Sequence, residues 1–103
     1  MKRTKIPDHD CVGHRMRLHI RGKVQGVGFR PFVYRLACEL GLSGWVRNSP
    51  QGVQIELEGK RTKLDEFVAD LETKKPKLAY IQSREFSFHD AVGYSGFKVL
   101  ESV

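Results

Sequence analysis

Two hydrophobic rhythms meet head to tail between Met16 and Gly41, with a glycine loop between them. Met16, Leu18 and Ile20 alternate with Arg17, His19 and Arg21, the period of two that a strand with one buried and one wet face requires. Phe32, Val33, Leu36, Ala37 and Leu40 then recur at helical spacing, a stripe that one helix face lays on a core. Gly22-Lys23-Val24-Gln25-Gly26-Val27-Gly28-Phe29-Arg30 joins the two. Pro31 suits the first helical position, where its missing N–H would be unpaired anyway, so the helix is expected to begin there. Gly41 supplies a left-handed cap at its other end.

The rest of the chain continues the pattern. Gly44–Asn48 and Val53–Glu58 read as two strands joined by a turn at Ser49-Pro50-Gln51-Gly52. Val53, Ile55 and Leu57 alternate with Gln54, Glu56 and Glu58, so the second of these strands has an acidic wet face. If it neighbours the basic first strand in antiparallel fashion, Glu56 and Glu58 pair across to Arg17, His19 or Arg21. Thr62-Lys63-Leu64-Asp65 resembles a capping box, and Leu64, Phe67, Val68 and Leu71 follow with helical spacing. Lys74, Lys75 and Lys77 suit the end of that helix, and Pro76 terminates it. A strand with blurred alternation from about Ala79 to Phe88 and a short one near Phe97–Leu100 complete the order. The order is β-α-β-β-α-β plus a terminal strand. It predicts an α+β fold, a ferredoxin-like α/β sandwich in which two helices cover one face of an antiparallel sheet.

At 103 residues the chain suits one domain. Residues 1–14 lack periodicity and read as a flexible leader, with the domain over 15–103. Their positive charges surround no apolar signal core, and no apolar run is long enough for a membrane span; a cytoplasmic protein without a membrane partner is expected. Cys11 and Cys38 form no CxxC pair, and two free thiols are expected in a reducing compartment. His9, Cys11 and His14 cluster in the leader without the spacing of a metal site, so no metal is expected. The net charge of +6 favours anionic partners without naming one. RNA-binding domains share the element order, but they carry stacking aromatics on the central strands. Here the wet faces hold Arg17, His19, Arg21, Gln54, Glu56 and Glu58, and nucleic acid is not an expected partner. Trp45, Phe86 and Phe88 read as packing residues.

The chemistry concentrates at the first loop. Pro31 disfavours helical geometry at Arg30, which places that guanidinium beside the helix N-terminus. If Gly26 and Gly28 take positive φ, the backbone N–H groups of Gln25, Gly26, Val27, Gly28, Phe29 and Arg30 can curl around a phosphate. This is not a P-loop, whose GxxxxGK[ST] order is absent. The same residues also permit a plain tight turn with a surface arginine. Asn48, at a strand end before a turn, fits an ordinary turn asparagine equally well.

Taken together, Gly22-x-Val24-Gln25-Gly26-Val27-Gly28-Phe29-Arg30 and Gly41-Leu42-x-Gly44-Trp45-Val46-Arg47-Asn48 with a following Gly52 resemble the acylphosphatase family over about residues 16–102. The resemblance implies the ferredoxin-like sandwich and hydrolysis of the carboxyl–phosphate bond of acyl phosphates, with no metal or organic cofactor. By position, it implies that Arg30 holds the phosphate, that Asn48 orients the attacking water, and that the amides of Gln25 to Arg30 form the cradle. Many free-standing members resemble Arg-Tyr where this chain has Arg30-Pro31. That difference, with Lys75-Pro76-Lys77 and Val92-Gly93-Tyr94, resembles the N-terminal domain of hydrogenase-maturation carbamoyltransferases. In those proteins zinc-finger-like and carbamoyl-transfer modules follow, and the implied substrate is carbamoyl phosphate. The resemblance leaves two alternatives: a free-standing acylphosphatase, or a catalytically silent domain that binds anions or docks to a partner.

Overall fold

The alternating apolar residues of the first segment form β1 (His14–Lys23), which is followed by α1 (Phe29–Glu39), β2 (Ser43–Ser49), β3 (Gly52–Gly59), α2 (Arg61–Lys74), β4 (Tyr80–His89) and β5 (Phe97–Val99). The computed structural model describes residues 13–102. His14 belongs to β1, so the sheet claims the last residue of the expected leader; His9 and Cys11, and with them any Cys11–Cys38 bond, lie outside the described residues. The strands lie in the order β4-β1-β3-β2-β5. β1 pairs antiparallel with both β3 and β4, and β2 with β3.

The expected all-antiparallel sheet needs one correction: β5 runs parallel to β2. After β4, at one edge, the chain crosses to the opposite edge through residues 90–96. It enters there in the direction of β2, fastened by Gly44 N–H to the Gly96 carbonyl (2.9 Å) and Leu100 N–H to the Val46 carbonyl (2.8 Å). β4 shows blurred alternation because it is an edge strand, exposed over most of its length.

Both helices pack on one face of the sheet. Met16, Leu18 and Ile20 of β1, Val46 of β2 and Val53, Ile55 and Leu57 of β3 meet Phe29, Phe32, Val33, Leu36 and Ala37 of α1 and Leu64, Phe67 and Leu71 of α2. Each of these apart from Ala37 contributes about 1.5–3 kcal/mol on burial. This core fixes the ends of β1 and β2, from which the loop and the asparagine project.

Two helix starts differ from expectation. α1 begins at Phe29, with left-handed Gly28 as its cap, and Pro31 is its third residue. Arg30 is therefore helical, not extended. An early start lets Phe29 and Phe32 both reach the core, their rings 5.7 Å apart. Proline is tolerated there because the first-turn N–H groups have no helical partner. α2 begins at Arg61, with Lys60 as a cap that makes no side-chain hydrogen bond, so the Thr62 capping box is not used. β3 runs to Gly59, which leaves no loop in which Thr62 could stand outside the helix. The end of α1 follows expectation. Gly41 has φ 69°, its N–H meets the Cys38 carbonyl, and Leu42 N–H reaches the Ala37 carbonyl, the paired closure of a Schellman motif.

Candidate active site

The loop between β1 and α1 turns on Gly26 (φ 73°) and Gly28 (φ 81°). A Cβ at either glycine would meet no atom within 4 Å, so open space lies beside both positions. Among the described residues, no turn or loop backbone hydrogen bond uses the N–H groups of Gln25 to Arg30. Those of Phe29 and Arg30 are unpaired first-turn donors of α1, where the helix dipole adds positive potential. The loop is largely exposed, so these donors face solvent and are open to an acceptor.

Arg30 stands in the first turn of α1, partly buried. None of the ion pairs among the described residues uses it. Its side chain borders a shallow groove with Pro31, Tyr34, Arg35 and Val99. A guanidinium without a carboxylate partner keeps its planar fork available for a phosphate.

Asn48 lies near the end of β2, paired in register with Val53 of β3. Its Oδ1 is buried and has no donor, and the neighbouring Ser49 Oγ is in the same state. The Asn48 carboxamide thus has one end buried without a protein partner.

The loop motif calls on Gln25 for its backbone N–H alone. Its side chain does more: Nε2 donates to the Ser49 carbonyl at 2.6 Å and to the Gly52 carbonyl at 2.8 Å. The glycine loop and the turn after Asn48 are thereby brought together. Nothing in the sequence signals this contact, since both acceptors are backbone atoms far along the chain.

The opposite face of the sheet holds a polar network wider than the cross-strand pairs expected from alternation. Glu56 pairs with Arg17 (2.8 Å) and also with Arg15 (3.1 Å). Tyr94 Oη donates to Glu56 at 2.6 Å, and Trp45 Nε1 donates to Tyr94 Oη at 3.2 Å. Arg47 lies 5.1 Å above the Trp45 ring. Among the described residues Glu58 pairs with no arginine; it accepts N–H bonds from Val92, Gly93 and Tyr94. Both glutamates are buried, which corrects the expected wet acidic face: residues 92–94 of the crossover lie on these two positions. Burial pushes the Glu56 carboxyl up, but the Tyr94 and Arg15 hydrogen bonds and the charges of Arg15 and Arg17 outweigh that and hold it below its ordinary value. Burial and the bond to Glu56 push the Tyr94 phenol up.

An open glycine loop whose amides make no backbone hydrogen bond, an arginine without an ion pair among the described residues at the following helix start, and an asparagine-bearing strand end latched to that loop make up the candidate site of this α/β sandwich. The model of the acylphosphatase family matches residues 16–99, and the chain belongs to that family. It is 51% identical over 89 residues to carbamoyltransferase HypF2 of Cupriavidus necator, covering 85% of this chain and 11% of that protein. It is 40% identical to an acylphosphatase of Thermus thermophilus, covering 78% of this chain and 91% of that one. A crystal structure of full-length HypF in its phosphate- and nucleotide-bound form superposes with TM-score 0.85 and 33% identity, over 87% of this chain and 12% of that one. The chain thus resembles both free-standing acylphosphatases and a small part of HypF, spanning about a tenth of the HypF relatives' length.

Proposed function

We propose that this domain hydrolyses the carboxyl–phosphate bond of acyl phosphates, with carbamoyl phosphate as its substrate. The free N–H groups of Gln25 to Arg30, beside an Arg30 that has no carboxylate partner among the described residues, carry the reading. In this scheme the amides of Gln25, Gly26, Val27, Gly28, Phe29 and Arg30 and the Arg30 guanidinium take the phosphoryl oxygens. Asn48 Nδ2 holds a water in line with the leaving carboxyl oxygen. The water oxygen bonds to phosphorus as the bond to the carboxyl oxygen breaks. The acyl group leaves as carboxylate, or as carbamate from carbamoyl phosphate. The water proton passes to a phosphoryl oxygen, so no side-chain base is needed. Such a reaction asks for positioning and for charge stabilisation on the equatorial oxygens, which amides and one guanidinium supply without metal or cofactor.

The similarity to HypF supports carbamoyl phosphate, and a longer protein in which zinc-finger-like and carbamoyl-transfer modules follow this domain. A cytoplasmic setting belongs to the same reading; among the described residues no helix is long and apolar enough to cross a membrane.

Phosphate release from carbamoyl phosphate and from an aromatic acyl phosphate tests the proposal. Arg30→Ala and Asn48→Ala are each expected to lower kcat/KM by at least about two orders of magnitude, the scale for losing a key oxyanion donor. Equal rates in all three proteins remove both residues from the mechanism. Phosphate binding at the loop amides without turnover reassigns the domain to anion binding alone.

A further inference from the structure

We infer that the Gln25 side chain is a positioning residue that holds the phosphate loop and the Asn48 turn in one arrangement; this rests on the catalytic reading above. The topology creates the need. The loop leaves the end of β1 and Asn48 stands at the end of β2, yet β1 and β2 are not neighbours, because β3 lies between them. The sheet ladder therefore ties the two halves of the site only indirectly. Gln25 spans the gap. A carboxamide nitrogen carries two hydrogens, and here both are used, on the carbonyls at the two ends of the Ser49–Gly52 turn. Among the described residues, no other side-chain hydrogen bond joins the loop to this turn.

The clasped turn also holds the buried, unpartnered Asn48 Oδ1 and Ser49 Oγ. With no hydrogen bond of their own to fix them, these side chains depend on the backbone that Gln25 restrains. The Ser49 carbonyl lies one residue beyond Asn48, so holding it sets the direction in which the Asn48 carboxamide projects. A misplacement of 1 Å between reacting groups costs about a hundredfold in rate.

Gln25→Ala and Gln25→Glu test the inference in the folded chain. Both variants are expected to lower kcat about a hundredfold, with KM changed by less than about threefold, because the loop amides persist. Amide spectra titrated with inorganic phosphate give a second readout. In the wild type, phosphate shifts both Gly26–Phe29 and the Ser49–Gly52 turn; in the variants the loop still responds and the turn does not.

Gln25→Glu adds a readout that a purely structural role would not produce. At neutral pH its two acceptor oxygens face two carbonyls. Protonation restores one O–H donor. Its rate relative to the wild type is therefore expected to climb as pH falls towards the ordinary glutamate range near about 4.3. If Gln25→Ala does not fold, this recovery carries the test. Variants that match the wild type in kcat and turn response, or a Gln25→Glu rate ratio that stays flat with pH, overturn the role of Gln25 while leaving the hydrolase reading intact. A wild type that neither turns over acyl phosphate nor responds to phosphate overturns both.

Discussion

Gly26 and Gly28 hold φ values of 73° and 81°, a left-handed backbone that costs other L-residues about 1–2 kcal/mol each. Space is not the constraint, since a Cβ at either position meets nothing within 4 Å. Gly28→Ala is therefore expected to lower unfolding free energy by about 1–2 kcal/mol and to weaken phosphate binding, as checked by denaturant titration and phosphate-titrated amide spectra. Glu56 poses a different single-residue problem. Its carboxyl is held below the ordinary value of 4.5. A carboxyl more acidic in the folded than in the unfolded chain adds stability that is full above the unfolded value and disappears as pH falls through the folded one. Glu56→Gln is expected to be less stable than the wild type by about 1–3 kcal/mol at pH 7, and the gap should close on acidification below 4.5. Tyr94 acts at the other end of the scale. Its phenol is raised above the ordinary 10.0, so its contribution is full below that pH and lost above it.

Between elements, the close approaches are made by backbone. A Cβ on Gly52 (φ 150°) would collide with the Ile20 carbonyl. The start of β3 is thus pressed against the end of β1, where the phosphate loop departs. Gly52→Ala must push the two strands apart as well as strain its own φ. It is expected to lose at least about 2 kcal/mol by chemical denaturation, more than Gly28→Ala, because overpacking adds to strain. Glu58 links elements in another way. Its carboxylate gathers the N–H groups of Val92, Gly93 and Tyr94 and holds the crossover on the sheet. Glu58→Ala should speed hydrogen exchange at those amides by more than about tenfold, the equivalent of one lost charge-assisted hydrogen bond of about 1.5–3 kcal/mol. Exchange in β1 and β3, whose ladders lie elsewhere, should stay slow.

At the scale of the molecule, one helix-covered core serves two purposes. It stabilises the sandwich, and it places the ends of β1 and β2 at the same end of the sheet, where a loop of free amides and a turn carrying Asn48 meet through Gln25. On the opposite face the crossover is fastened to Glu56 and Glu58 of β3. The net charge of +6 over the chain is expected to assist capture of an anionic substrate. Raising ionic strength from about 0.01 M to 0.15 M shortens the Debye length from about 30 Å to 8 Å, and kcat/KM should fall with kcat little changed.

The order of the helices and strands is legible locally, because the period of two in β1 and β3 and the helical stripes are properties of neighbouring side chains; β4, an exposed edge strand, shows no such period. The left-handed glycines at 26, 28 and 41 are legible from their turn positions, whereas the roles proposed for Arg30 and Asn48 come only from the family resemblance of their motifs. What the chain could not disclose by itself depends on residues far apart in it. The early start of α1 at Phe29 answers a core that Phe29 must fill. The burial of Glu56 and Glu58, on a face that alternation marks as wet, is decided by a crossover more than thirty residues later. The double hydrogen bond of Gln25 has only carbonyl oxygens as partners, and carbonyls carry no residue identity. Local periodicity encodes elements; which polar atoms meet, and so whether a glycine loop becomes half of a site, is settled only when non-adjacent strands share one sheet.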